Sequence, residues 1–160
     1  MKRLIWLVVL AAGCSSDSEP VDAEGMYTVA VTNRTNGCNF MNWTEDESAA
    51  GIQVVINQEG SDANADVMGA TRVYLDVILG THVFNGTVDG NELDLKIEGT
   101  PSTTTGNCTW SVDAQLLANL NGDVLTGRIN YTVAGNGHTD CAPYDGCVSY
   151  QDMNGTRPPQ

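Results

Sequence analysis

Basic side chains are scarce in this sequence: seven Lys and Arg stand against 20 Asp and Glu, for a formal net charge of −13 at pH 7. Contacts to phosphate need clustered Lys and Arg, so nucleic acid and anionic lipid headgroups are poor partners for this chain. Histidine is scarcer still, with His82 and His138 alone, which leaves little material for a catalytic triad. No Gly-x-Ser-x-Gly, His-Glu-x-x-His, Walker loop or dinucleotide fingerprint occurs, and the carboxylates are too numerous for one pair to stand out as a glycosidase couple. The expectation is a protein without enzymatic activity and without a cofactor. A hydrolase with its site in the His138 to Asp145 loop is the rival of a different class.

Long apolar runs are also missing except at the start. Met1, Lys2 and Arg3 precede the apolar stretch Leu4 to Ala12, which ends at Gly13-Cys14. A basic segment, a short apolar segment and a small-residue cleavage site read as a signal peptide. Nine residues rise only about 14 Å as a helix, roughly half of a bilayer core, so this stretch is too short to span a membrane. The tetrad Ala11-Ala12-Gly13-Cys14 resembles the lipobox of bacterial lipoproteins, departing from it at Ala11, where that family prefers leucine. The resemblance implies removal of residues 1–13, lipidation of Cys14 with several acyl chains, and attachment to the membrane through that lipid. Ser15, in place of an aspartate, implies the outer membrane. The alternative is a secreted protein cleaved nearby, with Cys14 left as an odd thiol.

Five cysteines less Cys14 leave an even set of four, Cys38, Cys108, Cys141 and Cys147, which an oxidising compartment would join in two disulfides. Their spacing fits no compact zinc pattern, and no metal is expected. Residues 14–25, rich in Ser, Asp, Glu and Pro, read as a flexible tether too polar to pack. One domain is expected over 26–157, with 158–160 as a tail. Six Asn-x-Thr triplets, at Asn33, Asn42, Asn85, Asn107, Asn130 and Asn154, would mark glycosylation in a eukaryotic secreted protein; beside a lipobox they read as Thr- and Asn-rich strand ends.

The body of the chain alternates apolar and polar residues between Gly, Asn and Asp breaks, the pattern of short antiparallel strands. Leu93, Leu95 and Ile97 point one way and Glu92, Asp94, Lys96 and Glu98 the other, so the outward set faces water, and a porin-like membrane span is excluded. Eight strands are expected, over 27–34, 52–58, 65–69, 82–88, 92–98, 108–118, 124–133 and 147–153. Thr71 to Gly80 reads either as a short helix over 71–79 with Thr71 as cap and Gly80 as stop, or as a ninth strand. The stretch Thr87 to Leu93 recurs 32 residues later as Asn119 to Leu125, giving two hairpins with Asp-Gly and Asn-Gly turns expected to be of type I′. Asp62, Asn64 and Asp66 begin like a calcium loop, but Val67 stands where its glycine belongs, and the segment reads as a turn.

In an up-and-down meander the connections alternate between two ends. Those near 59–64, 89–91 and 119–123 are short and share one end, whereas those near 35–51, 70–81, 99–107 and 134–146 are long and share the other. Eight strands place all four cysteines at the long-loop end; nine would scatter them. Closing the sheet brings Cys38 to Cys147 and Cys108 to Cys141, the pairing expected, with a local Cys141–Cys147 loop plus Cys38–Cys108 as the rival. The predicted fold is an all-β, antiparallel, up-and-down eight-stranded barrel, which removes exposed strand edges; a β-sandwich is the alternative. In strand pattern alone the plan is similar to small lipocalin-like or avidin-like barrels. The first strand begins at the short-turn end, so the tether attaches there.

Candidate binding residues fall in the long loops. Phe40, Met41 and Trp43, followed by Glu45, Asp46 and Glu47, present aromatics at a barrel mouth that suit a protein, glycan or small apolar ligand; the plainer reading is that Phe40 and Trp43 plug the barrel end beneath the Cys38 bridge. Trp110 shares a strand face with Cys108 and Val112 and reads as core. His138, Asp140, Tyr144 and Asp145 form the only polar cluster suited to acid–base work, and equally a solvated, disulfide-tied loop. The leading expectation is a membrane-anchored module that binds through its long loops or serves a structural role in the envelope. A carrier holding an apolar molecule inside the barrel is the second.

Overall fold

A computed structural model describes residues 19–159; the leader and Cys14 lie outside them. Nine strands and one α-helix follow in order: β1 (Gly25–Asn36), β2 (Ser48–Glu59), β3 (Asp62–Val67), α1 (Gly69–Leu79), β4 (Val83–Asp89), β5 (Glu92–Ile97), β6 (Thr103–Thr105), β7 (Cys108–Asn121), β8 (Val124–Gly135) and β9 (Val148–Thr156), with a 3₁₀ turn at Thr139–Tyr144 between β8 and β9. Each strand pairs antiparallel with its sequence neighbour, except that β5 pairs with β7, and β9 returns to β1. Eight strands thereby close into a barrel. The additional strand β6, three exposed threonines paired with the start of β7, lies outside it and was expected to be loop.

Alternation accounts for the wall. Along β5, Leu93, Leu95 and Ile97 are buried while their neighbours face water. Tyr27, Ile56, Val88, Leu93, Leu120 and Leu125 fill the short-turn end of the interior, each aliphatic side chain contributing about 1.5–3 kcal/mol by leaving water. Asp62, Asn64 and Asp66 belong to strand β3, not a turn: Ala63, Ala65 and Val67 between them are buried, and that inward set decides the conformation.

The short connections are Gly60-Ser61, Gly90-Asn91 and Gly122-Asp123. In each the glycine alone has positive φ, at 64°, 55° and 61°. That is the form with glycine first, type II′, in place of the expected type I′, which needs positive φ at both positions.

Thr71 to Gly80 is helical. Leu75 and Leu79 are buried on one face, Gly80 ends the helix at φ 82°, and the N-cap is Met68, three residues before the expected Thr71. The stretch expected to be loose tether is packed in its last part. The Val21 N–H donates to Gly90 O at 2.7 Å, Gln58 takes the Ala23 N–H at 2.8 Å and donates to Val21 O at 3.0 Å, and the Tyr27 hydroxyl donates to Ala23 O at 3.1 Å. Ala23 is completely buried. Composition described the segment as polar on average, but Val21 and Ala23 give it two apolar contacts and Gln58 satisfies the backbone between them.

Candidate functional site

The barrel is filled at one end and hollow at the other. A cavity of about 400 Å³ runs up the interior, walled by Val29, Val54, Phe84, Leu116, Ile129 and Met153, with Ile56 and Leu125 in its floor. Its mouth lies between Ala70, Thr71 and Tyr74 of α1 and the rim residues Ala49 and Ile52 of β2. Leu75 and Leu79 turn the buried face of α1 inward, so the helix roofs part of the opening. Among the described residues that line the cavity, none is charged.

Besides Thr71 and Tyr74 of α1, two polar residues on the strands, Tyr131 of β8 and Gln151 of β9, belong to the lining. They form one hydrogen-bonded chain across three strands. The Tyr131 hydroxyl donates to Gln151 Oε1 at 2.8 Å, Gln151 Nε2 donates to Asn33 Oδ1 at 2.7 Å, and Asn33 Nδ2 donates to the backbone carbonyl of Thr44 at 3.0 Å. Burial, with nearby Tyr74 as a smaller contribution, pushes the Tyr131 hydroxyl far above the ordinary tyrosine value, so it is neutral at every physiological pH.

The helix over the mouth is held from outside. His82, just ahead of β4, places Nδ1 2.7 Å from Asp76 Oδ1 of α1 and Nε2 3.3 Å from Asp66 Oδ1 of β3. The ring thus ties the roof to the wall. In the sequence the spacing of six between Asp76 and His82 carries no recognisable motif.

The long loops are occupied with their own packing. Phe40 and Trp43 pack at a 45° tilt with ring centroids 6.2 Å apart, and Trp43 meets Tyr131 edge-on at 5.9 Å. Trp43 Nε1 donates to Arg34 O at 2.7 Å, and the Asn36 side chain clamps Phe40 through both its N–H and its carbonyl. Met41 alone of the three projects into solvent, 87 % exposed. The Cys38–Cys147 and Cys108–Cys141 disulfides are both formed, each with Cα atoms 5.0 Å apart, and the Cys38 N–H is bonded to the fully buried Ser149.

His138 and Asp140 sit on the 3₁₀ turn as structural ties. His138 Nδ1 accepts the Asp140 N–H at 3.1 Å, and Asp140 Oδ2 accepts both the backbone and side-chain N–H of Asn107, at 3.0 and 3.1 Å. Tyr144 packs on Trp110 at 5.2 Å between centroids. Among the described residues no three His, Cys, Asp or Glu side chains gather as a metal-binding group.

No protein-family model, curated protein or solved structure matches the chain.

Proposed function

We propose that this protein is a lipid-anchored component of the bacterial envelope that holds a small apolar molecule inside its barrel. The uncharged cavity of about 400 Å³ carries the reading. Ligand sites generally span about 300–1,000 Å³ with largely apolar walls and a few placed polar groups, and an apolar cavity of about 150 Å³ already accepts benzene. The loops favoured from sequence support binding less well, because Phe40 and Trp43 spend their faces on each other and on Tyr131.

Support for the anchor comes from the N-terminal pattern and from the cysteine pairing: both disulfides use the other four cysteines, leaving Cys14. With Cys14 acylated, the outer membrane is the expected site and the membrane lipid the first partner.

The test uses protein isolated from its membrane and placed in lipid nanodiscs, with empty nanodiscs as baseline. The neutral dye N-phenyl-1-naphthylamine should brighten in the presence of the barrel, and Val31→Phe, which narrows the cavity from a partly buried lining position, should reduce that gain. Equal emission with and without protein would end the carrier reading. Mass spectrometry of the N-terminal peptide should find diacylglycerol on Cys14; an unmodified N-terminus would remove the anchor.

A further inference from the structure

We propose, resting on the cavity reading above, that the ligand is an uncharged molecule that docks through a hydroxyl group on Tyr131 and Gln151. The polarity of the Tyr131–Gln151–Asn33 chain is fixed from its far end. A backbone carbonyl only accepts, so Thr44 O orients the Asn33 amide with nitrogen toward it. Asn33 Oδ1 must then accept from Gln151 Nε2, which turns Gln151 Oε1 toward Tyr131, and the Tyr131 proton is committed to that oxygen. What remains for the cavity is the lone pairs of Tyr131 Oη and the second N–H of Gln151 Nε2. Among the described residues neither has a partner.

One acceptor beside one donor is the complement of a hydroxyl, which donates and accepts at the same atom. A ketone or ester satisfies the Gln151 N–H only, and an alkane satisfies nothing. A carboxylate would meet the Tyr131 lone pairs, with no cation in the lining to compensate its buried charge. Thr71 and Tyr74 also carry hydroxyls, but they stand at the mouth, where Tyr74 is exposed and water can meet its hydroxyl in place of a ligand.

The experiment is displacement of N-phenyl-1-naphthylamine from the nanodisc-held protein by an eight-carbon series, with partition into empty nanodiscs subtracted. Octan-1-ol should displace the dye at about three- to tenfold lower concentration than octan-2-one, in keeping with one additional hydrogen bond, and octane and octanoate should trail both. In Tyr131→Phe combined with Gln151→Leu, which leaves neither the acceptor nor the donor (Tyr131→Phe alone would free Gln151 Oε1 to accept from an alcohol), the alcohol and the ketone should converge. If that variant does not fold, Gln151→Leu alone serves instead: it frees the Tyr131 proton to meet a ketone and should close the same gap. A ketone or carboxylate matching the alcohol, or a preference for alcohol that survives in the variants, overturns the hydroxyl assignment while the dye signal still upholds the cavity. Loss of the dye signal in the unmodified protein overturns the cavity reading instead.

Discussion

The two ends of the barrel solve the same problem by opposite means. At the short-turn end the chain closes on itself without covalent help: Tyr27, Leu93, Leu120 and Leu125 fill the interior, Val21 to Glu24 cross the opening, and Arg157 reaches from the last strand to Glu24 O, Asp22 O and Asp123. At the long-loop end a cavity is left open, and two disulfides with the Phe40, Trp43 and Tyr131 cluster hold the loops around it. A hollow forfeits the dispersion contacts that its lining would otherwise make. Cross-links that restrict the unfolded chain offset that loss without filling the space.

The comparison breaks first at the bridges. Reducing or replacing Cys38–Cys147, which closes 109 residues, should cost about 4–5 kcal/mol on the chain-entropy model, against about 3–4 kcal/mol for the 33-residue Cys108–Cys141 loop. Chemical denaturation of each Cys-to-Ser pair checks the order, and equal losses would show that strain or residual structure outweighs loop length.

A sharper comparison inserts the same side chain at both ends. Ala118 is buried at the filled end, so tightly that a Cβ on neighbouring Gly127 would come within 2.6 Å of it. Ala118→Phe should destabilise by about 3 kcal/mol or more through overpacking. Val31 lines the cavity and is only partly buried, and Val31→Phe should be neutral or stabilising by about 0.5–2 kcal/mol. Thermal unfolding of the two variants should therefore move in opposite directions.

The smallest effects are those of pH. Burial raises both Tyr27 and Tyr131, with Arg157 opposing the rise at Tyr27. The unfolded chain therefore releases these protons first, and the stability they contribute, complete below about pH 10, is lost as pH climbs above it. Tyr131→Phe should remove more of that alkaline loss than Tyr27→Phe. Asp152 behaves in the other sense. Its hydrogen bond from Arg34 holds the carboxyl below its ordinary value against the opposing effect of burial, with the weaker hydrogen bond from Arg128 adding to the lowering. Its contribution is present above the ordinary carboxylate range and fades as acid protonates it. Urea titrations at acid, neutral and alkaline pH, with Asp152→Asn beside the two Phe variants, separate these contributions.

The barrel and its bridges were legible because both depend on strand count and on a period of two. Loop lengths sorted the ends, and closure then left the four cysteines with near neighbours. Thr71 to Leu79 stayed ambiguous because its apolar residues satisfy both periods. Val73 and Val77, which a strand reading would bury with Leu75 and Leu79, are 63 % and 72 % exposed, so helical periodicity prevails. The cavity was not legible: residues around a hollow and residues around a packed core have the same apolar alternation. A trace of the polar chain was present nonetheless. Asn33 and Gln151 occupy positions on β1 and β9 in step with inward-facing Val29, Val31 and Met153, and a polar residue on an apolar face calls for a partner.

The strap at the filled end has a mechanical consequence. On the proposed anchoring at Cys14, tension from the membrane would enter the barrel through Val21 to Glu24 and pass into Gly90, Gln58 and Arg157, which bond that segment. The whole length of the barrel separates that point of loading from the roof helix. A load at such an anchor would meet the barrel at the end away from the mouth, where nothing has to open.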